Sequence, residues 1–340
     1  MNILAIDTSC DETAAAVTNG RRVLSNIIYS QVDIHTKWGG VVPSLAKRAH
    51  EERIDNVVDL AIKRAGRFNA SIDAIAVTQG PGLAIALEVG IRKAQALAQK
   101  RKIPLIAVNH LEGHLYSAFA QNSMGNPDIP MQFPYLGFII SGGHTEFVIW
   151  KNHLEYVIIG ETLDDAAGEA LDKAGKLLGL GYPAGSVIER LSREAGNKDT
   201  YQFPRPMIHS GNLQFSFSGL KTAFYYYLLK MDEKEKAARI YELASSFQEA
   251  VFDTLCTKLE LAIAQTGIHN LIVGGGVAAN LYLRARFRTL VKRYNGLVYF
   301  PSYSYLVGDN AAMIGIAAAY YLSKKKFTTS IDRIPRMKLG

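Results

Sequence analysis

The sequence predicts an α/β protein built as two related lobes around a cleft, and three observations carry that expectation. Strand-like apolar runs alternate with helical patterns for most of the chain. The order strand, strand, glycine turn, helix, strand occurs in both halves, as architecture without residue-level identity. Several apolar strands end in turns rich in Gly, Ser or Thr, and α/β sheets bind ligands beyond the carboxyl ends of their strands.

In order, Ile3–Asp7 reads as a strand and Asp11–Thr18 as a second, turning back after Asn19-Gly20. Ala46–Ala65 carries Ile54, Val57, Val58, Ala61, Ile62 and Ala65 at helical spacing. Asp73–Thr78 is an apolar strand closed by Gly80-Pro81-Gly82, Leu87–Lys100 an alanine-rich helix, and Pro104–Val108 a buried strand. The second half opens with the strand Tyr135–Ile140, the turn Ser141-Gly142-Gly143 and the hairpin partner Glu146–Trp150. Ile240–Ile263 places Ile240, Leu243, Phe247, Val251, Leu255, Leu259 and Ile263 on one helical stripe. Asn270–Val273 is a strand ending in Gly274-Gly275-Gly276, followed by a helix at Leu281–Tyr294, a strand at Leu297–Phe300 and a small-residue helix at Asn310–Leu322. Thr200–Phe217, with Pro204, Pro206 and paired aromatics, reads as an ordered loop. Gly125–Pro134, with three prolines, is the expected boundary. It separates an N-terminal lobe at 1–125 from a C-terminal lobe at 134–309 with a helical insertion, while a helix at 310–323 packs back on the first lobe.

Composition agrees. The chain has 340 residues, about two domains at roughly 150 residues each. With 48% hydrophobic and 20% charged residues it is neither disordered, collagen-like nor a disulfide scaffold. No apolar run reaches the ~18–20 residues that span a bilayer. The first residues lack a basic region, a long apolar stretch and a cleavage site, so a chain without secretory signal or membrane span is expected. Cys10 and Cys256 lie far apart, which predicts reduced thiols in a cytoplasm. The net charge of +7 is compatible with a polyanionic partner such as RNA, but on charge alone a protein that touches no nucleic acid is the favoured reading.

The glycine turns lack both GxxxxGK[ST] and a GxGxxG after a strand, which argues against a Walker or Rossmann site. Asn109-His110-Leu111-Glu112-Gly113-His114 follows a buried strand. On a helix His110 and His114 share one face and can hold one metal ion. Glu112 lies about 200° round from His110, so the general-base position of an HExxH protease is empty. A third ligand must come from elsewhere, and Gly308-Asp309-Asn310 at a strand-to-helix junction is the expected donor. The other histidines lack ligand spacing. Asp165, Glu169 and Asp172, at i, i+4 and i+7, read either as a charge-paired solvated face with Lys173 and Lys176 or as carboxylates lining a pocket. Gly179, Gly181, Pro183 and Gly185 follow as a turn-rich segment.

Nine motifs then fall in one order: AIDTSCDET at 5–13, GGVVPSLAKRAH at 39–50, TQGPG at 78–82, NHLEGHL at 109–115, SGGHTE at 141–146, DDAAGEALDK at 164–173, FSGLKTA at 217–223, GGGVAAN at 274–280 and GDNAAMIG at 308–315. Through them nearly the whole chain resembles the bacterial TsaD proteins. The resemblance implies the two-lobed fold of actin-like ATPases, sugar kinases and heat-shock ATPases. It implies transfer of threonylcarbamoyl from threonylcarbamoyl-adenylate to N6 of the adenosine just 3′ of the anticodon, in tRNAs reading codons that begin with A. It assigns His110, His114 and Asp309 to an iron or zinc ion. It assigns the adenylate to Ile139, Ile140, Ser141, Gly142 and Gly143, with Asp172, Gly185, Glu189 and Asn280. Thr8, Ser9 and Cys10 form a candidate phosphate loop, with ATP as a second ligand. A TsaB-like paralogue and a TsaE-like ATPase are the implied protein partners, in a homodimer or heterodimer. The chain departs from the family pattern at Ala184 and Ser186, where Gly and Pro are common, at Glu88, an often apolar position, and at Ser44, where Glu is common.

The donor is a mixed anhydride and the acceptor a weakly nucleophilic amine, so positioning and electrophilic help outweigh a protein nucleophile. Backbone N–H groups at Ser141–Gly143 are candidates for holding phosphate or the developing oxyanion. Cys10 is expected to be a packed residue, with no histidine on its turn to activate it. An ATPase or kinase of the same fold and a non-catalytic scaffold in a tRNA-modification assembly are the competing readings; a metalloprotease is a distant fourth.

Overall fold

The computed structural model describes residues 1–68, 70–328 and 330–340. They form two compact units: Met1–Phe133 with Lys151–Tyr156 and Phe300–Gly340, and Pro134–Trp150 with Val157–Tyr299. Asp309 therefore belongs to the same unit as His110 and His114. No described helix is long and apolar enough to cross a membrane.

The first unit begins with β1 (Asn2–Asp7), β2 (Glu12–Asn19) and β3 (Arg22–Ser30), then the short α1 (Val32–Thr36) and the long α2 (Pro43–Ala65). β4 (Ala74–Gly80), α3 (Ala84–Arg101), β5 (Leu105–Asn109) and α4 (His110–Ser117) follow. The sheet order is β3-β2-β1-β4-β5. β1 pairs antiparallel with β2 and parallel with β4. The central strand is buried on both faces, Ile3, Leu4, Ala5 and Ile6 being fully covered. Ile54, Val58 and Ala61 of α2 and Leu87, Ile91 and Ala94 of α3 join Leu4, Ile6, Ile75 and Val77 in one core.

The second unit has the sheet order β10-β9-β6-β7-β8, from β6 (Tyr135–Ile140), β7 (Thr145–Asn152), β8 (Glu155–Glu161), β9 (Leu271–Gly274) and β10 (Val298–Tyr299). Its helices are α5 (Ala167–Leu177), α6 (Gly185–Glu194), α7 (Ser218–Leu228), α8 (Glu233–Ala238), α9 (Ile240–Thr266) and α10 (Leu281–Lys292). An aromatic layer fills its core: Phe138 stacks on Phe147 at 4.0 Å and faces Phe215 at 5.8 Å. β8 and the helices α7 and α8 carried no clear periodic signal. The loop from Thr200 to Phe217 is held by side chains of α9. Ser246 Oγ accepts from Thr200 N at 2.9 Å, Asp253 pairs with Arg205, and the fully buried Lys258 donates to Ser210 Oγ and to Asn212 O.

The last helix, α11 (Ala311–Ser323), belongs to the first unit. It is apolar nearly all round, as a helix covered by a sheet must be. Two glycines let it approach closely. A Cβ on Gly315 would lie 2.6 Å from Thr18 Oγ1, and one on Gly113 of α4 would lie 2.9 Å from Met313 Cγ. That contact fixes the start of α11 beside α4.

Candidate metal centre

Asn109 ends β5 in an extended conformation and caps α4, its Oδ1 accepting from Leu111 N at 2.8 Å. Its amide also donates to Lys338 O at 3.0 Å. The cap fixes the first turn, so His110 and His114 emerge on one face with ring centroids 4.7 Å apart, edge to face. Asn310 caps α11 in the same way, accepting from Met313 N at 3.0 Å. That cap delivers Asp309 to the histidines: its Oδ1 lies 3.4 Å from His110 Nε2 and 3.3 Å from His114 Nε2. Among the described residues these three form the one group of His, Cys, Asp or Glu able to share an ion.

The residues fit a metal. Two ligand atoms about 2.0–2.1 Å from one ion at a tetrahedral angle sit roughly 3.3–3.4 Å apart. His110 Nδ1 and both nitrogens of His114 are buried without a hydrogen-bond partner, although buried polar atoms are nearly always paired. Burial lowers the His110 pKa, yet the Asp309 and Asp7 carboxylates outweigh it and hold the ring up to about 10. Burial keeps His114 below its ordinary value. Asp309 is held well below the carboxylate range, against burial, by the two histidines. The raised His110 and the depressed Asp309 mark a carboxylate-rich set that attracts a cation, a proton or a metal ion in its place.

Asp7 was not singled out by the sequence. Its Oδ2, also buried without a partner, lies 3.4 Å from His110 Nδ1. A carboxylate there fixes the ring's orientation and basicity as a metal ligand. The available signal was its place at the carboxyl end of a central strand. Glu112 points away, as its helical position predicted: its Oε2 accepts from Tyr321 OH at 2.8 Å, and burial pushes its carboxyl up to about 7.

The turn after β1 is more structural than its hydroxyls suggested. Thr8 Oγ1 donates to Ala86 O at 2.8 Å and accepts from Gly90 N at 3.1 Å, tying β1 to α3. Ser9 N donates to Asp7 Oδ1 at 3.1 Å, and Ser9 Oγ is buried without a partner. Burial and neighbouring acids, Asp11 foremost, raise the Cys10 thiol well above its ordinary value, the opposite of an activated nucleophile. Glu88 pairs with Arg92 and, at 3.0 Å, with Arg333, which accounts for a charge where an apolar residue is common.

In the second unit, Ile139 and Ile140 are the buried end of β6. Ser141 Oγ accepts from Gly143 N at 3.3 Å and His144 N at 3.0 Å, and Ser141 N donates to His144 O. Of the three N–H groups at Ser141–Gly143, this leaves that of Gly142 outside the turn's own bonds. Gly275, at φ 92°, brings the next turn against this one: a Cβ there would lie 2.5 Å from Ile140 O.

The acidic run is corrected by the structure. α5 begins at Ala167, after the extended cap Ala166, so Asp165 precedes the helix and shares no helical face with Glu169 and Asp172. Lys173 pairs with Asp165 at 2.6 Å and Glu169 at 2.9 Å, and Lys221 takes the other Asp165 oxygen at 2.8 Å. Asp164 instead accepts from Ser216, Phe217 and Ser218. Asp172 accepts from Ala184 N at 2.8 Å, shaping the entry to α6, where Gly185 is the first residue. Glu189 Oε1 accepts from Leu281 N at 2.8 Å. Asn280 caps α10 through Leu283 N at 2.9 Å and donates to Gln248 Oε1 at 3.0 Å. The structure thus brings Glu189 and Asn280 together at one helix start.

Two five-stranded sheets, each with its helices, give an α/β protein with an actin-like fold. Full-length HypF, in its phosphate- and nucleotide-bound form, aligns over 95% of this chain with a TM-score of 0.59 and 15% identity, and this chain spans 55% of it. The activator of 2-hydroxyisocaproyl-CoA dehydratase from Clostridium difficile aligns over 96% of this chain and 98% of its own at a TM-score of 0.50 and 13% identity. Sequence is more specific. The family model of TsaD, tRNA N6-adenosine threonylcarbamoyltransferase, matches residues 22–316. The proteins of that name from Trichlorobacter lovleyi and Clostridium beijerinckii are 47% and 46% identical, over 95% and 99% of this chain and 92% and 98% of theirs. The chain belongs to the TsaD family.

Proposed function

We propose that this chain transfers a threonylcarbamoyl group from threonylcarbamoyl-adenylate to N6 of the adenosine 3′ of the anticodon in tRNAs reading codons that begin with A. One observation carries the reading: relatives named for the N6-adenosine transfer match at 46–47% identity along nearly the whole length of both chains. In the reaction the N6 lone pair forms a C–N bond to the carbamoyl carbon. The carbon–oxygen bond of the anhydride breaks, AMP leaves with the electron pair, and N6 gives up one proton.

His110, His114 and Asp309 would hold one divalent iron or zinc ion. Bound there, such an ion supplies Lewis-acid polarisation of an oxygen of the donor. Asp7 holds the His110 ring from behind. Asp172, Glu189 and Asn280 brace the backbone at Ala184, Leu281 and Leu283, while Ile139–Gly143 offer backbone for the adenylate, with Gly142 N–H the donor left outside the turn's own bonds. A raised thiol pKa keeps Cys10 out of covalent catalysis. The Thr8 hydroxyl ties its turn to α3, whereas Ser9 Oγ is left for a phosphate. The substrate and the two free thiols suit the cytoplasm. A TsaB-like paralogue and a TsaE-like ATPase are the expected partners.

The test is one reaction. Purified protein, with and without those partners, receives synthetic threonylcarbamoyl-adenylate and unmodified tRNA, and the nucleosides are read by mass spectrometry. The modified adenosine should appear, and His110→Ala should cut its formation at least about 100-fold with loss of bound metal. Steady ATP turnover without tRNA and without product would favour the ATPase reading. Transfer that survives His110→Ala would favour a scaffold role for the cluster.

A further inference from the structure

Trp38 is 63% exposed, the most exposed aromatic side chain among the described residues. The backbone that carries it is nevertheless fixed. Gln31 N donates to Asp11 O at 3.0 Å, and Trp38 N donates to His35 O at 2.9 Å. Below the surface runs a chain of buried side chains. Val42 N donates to His35 Nδ1 at 3.3 Å, and His35 Nε2 lies 3.1 Å from Gln31 Oε1. Gln31 Nε2 lies 3.2 Å from His50 Nδ1, and His50 Nε2 lies 3.0 Å from Cys10 O. Gln31, His35 and His50 are fully buried. If both rings are neutral and protonated at Nε2, every donor in this chain meets an acceptor. Burial favours that state by lowering both histidines.

The segment from Gln31 to Val42 is therefore pinned to the turn after β1, the turn whose Asp7 faces His110. A rigid mount lowers the ordering cost of docking a ligand on the indole it carries. The exposed neighbours indicate which kind of ligand. Its chain neighbours Thr36 and Lys37 are exposed and polar, Gly39 and Gly40 add no side chain, and the apolar Val41 and Val42 beyond them are only partly exposed. From Gln31 to Arg48 the one acid, Asp33, stands against Lys37, Lys47 and Arg48. Lys47 pairs with Glu51, while Lys37 and Arg48 are exposed and join no ion pair among the described residues. An exposed aromatic face next in the chain to the unpaired Lys37, on a segment with more cations than acids, matches an unstacked base and its phosphates.

We propose that Trp38 is a stacking platform for a base of the single-stranded RNA loop that presents the acceptor adenosine, with Lys37 and Arg48 contacting its phosphates. The inference rests on the transferase reading and names a residue that positions its RNA substrate. The chain's second tryptophan, Trp150, is fully buried, so a change in emission on adding RNA reports Trp38. Wild-type emission should be quenched by an unmodified anticodon stem-loop. Trp38→Ala should weaken binding of that RNA, and raise its KM, roughly 5- to 100-fold, with kcat and thermal stability nearly unchanged. Trp38→Phe should lose the quench while keeping most of the affinity. RNA affinity and KM left intact in Trp38→Ala, with full transfer, would overturn this inference alone, even if the variant lost a protein partner. Failure of the wild type both to bind the RNA and to transfer would overturn the inference and the transferase reading together.

Discussion

The ends of the two sheets treat their polar side chains in opposite ways. In the first unit, His110, His114 and Asp7 present buried atoms with no hydrogen-bond partner, gathered around Asp309. In the second, the residues assigned to the adenylate by resemblance are already engaged. Asp172 holds Ala184 N, Glu189 holds Leu281 N, and Asn280 holds Leu283 N and Gln248. Asp7 Oδ2 and His110 Nδ1 face one another, so the bare atom that marks room for a ligand is His114 Nε2 beside Asp309; leaving a buried polar group unpaired costs about 1–3 kcal/mol. Engaged atoms signal a frame, in which side chains shape the backbone that faces a ligand.

The comparison breaks first at Asp7. Asp7→Asn keeps an oxygen for Ser9 N but removes the charge beside His110 Nδ1. The expected result is a loss of about 10- to 100-fold in metal affinity, read by competition with a chelator, with the fold intact by circular dichroism. Affinity within twofold of wild type would make Asp7 a turn residue only.

The frame is tested at Asn280. Asn280→Ala removes the cap of α10 and strands Gln248 Oε1, at an expected cost of about 1 kcal/mol, read as a lower urea midpoint. Asn280→Ser should recover most of it, since serine caps as well. Should stability stay level in Asn280→Ala, those bonds do not hold the frame.

Most strands and long helices were legible because their periods are strong: β1 and β6 as apolar runs, α9 as a stripe. The histidine pair was legible because a helix puts i and i+4 on one face, and the same geometry placed Glu112 away from it. Asp165 was misread because the spacing that joins it to Glu169 and Asp172 holds only inside a helix, and α5 starts two residues later. Asp7 and Trp38 were illegible for another reason. Each owes its interest to contacts made across the fold, from a carboxylate to an imidazole and from a buried histidine chain to an exposed indole. No local period encodes either.

The contrast is sharpened from inside the second unit, where buried bare atoms occur too, Glu249 Oε1 among them. Its other oxygen accepts from Arg286 at 3.1 Å and Tyr282 at 3.3 Å, beside Asp253, which pairs with Arg205 and Arg286. Among the described residues no group of three ligands includes Glu249. Burial pushes the Glu249 carboxyl from 4.5 up to about 7, against the pull of Arg286, so the bare atom is met by a proton. Between these two values the native state keeps a proton that the unfolded chain releases. Stability should therefore fall as pH rises through that window and level off above about pH 7, by up to about 3 kcal/mol. Glu249→Gln carries the proton's equivalent permanently and should flatten that slope in thermal unfolding measured across the window, with the greatest gain over wild type at its alkaline end. An unchanged slope would place the buried proton on another group, and would leave Glu249 Oε1 as a bare atom in need of a ligand, like His114 Nε2 of the first unit.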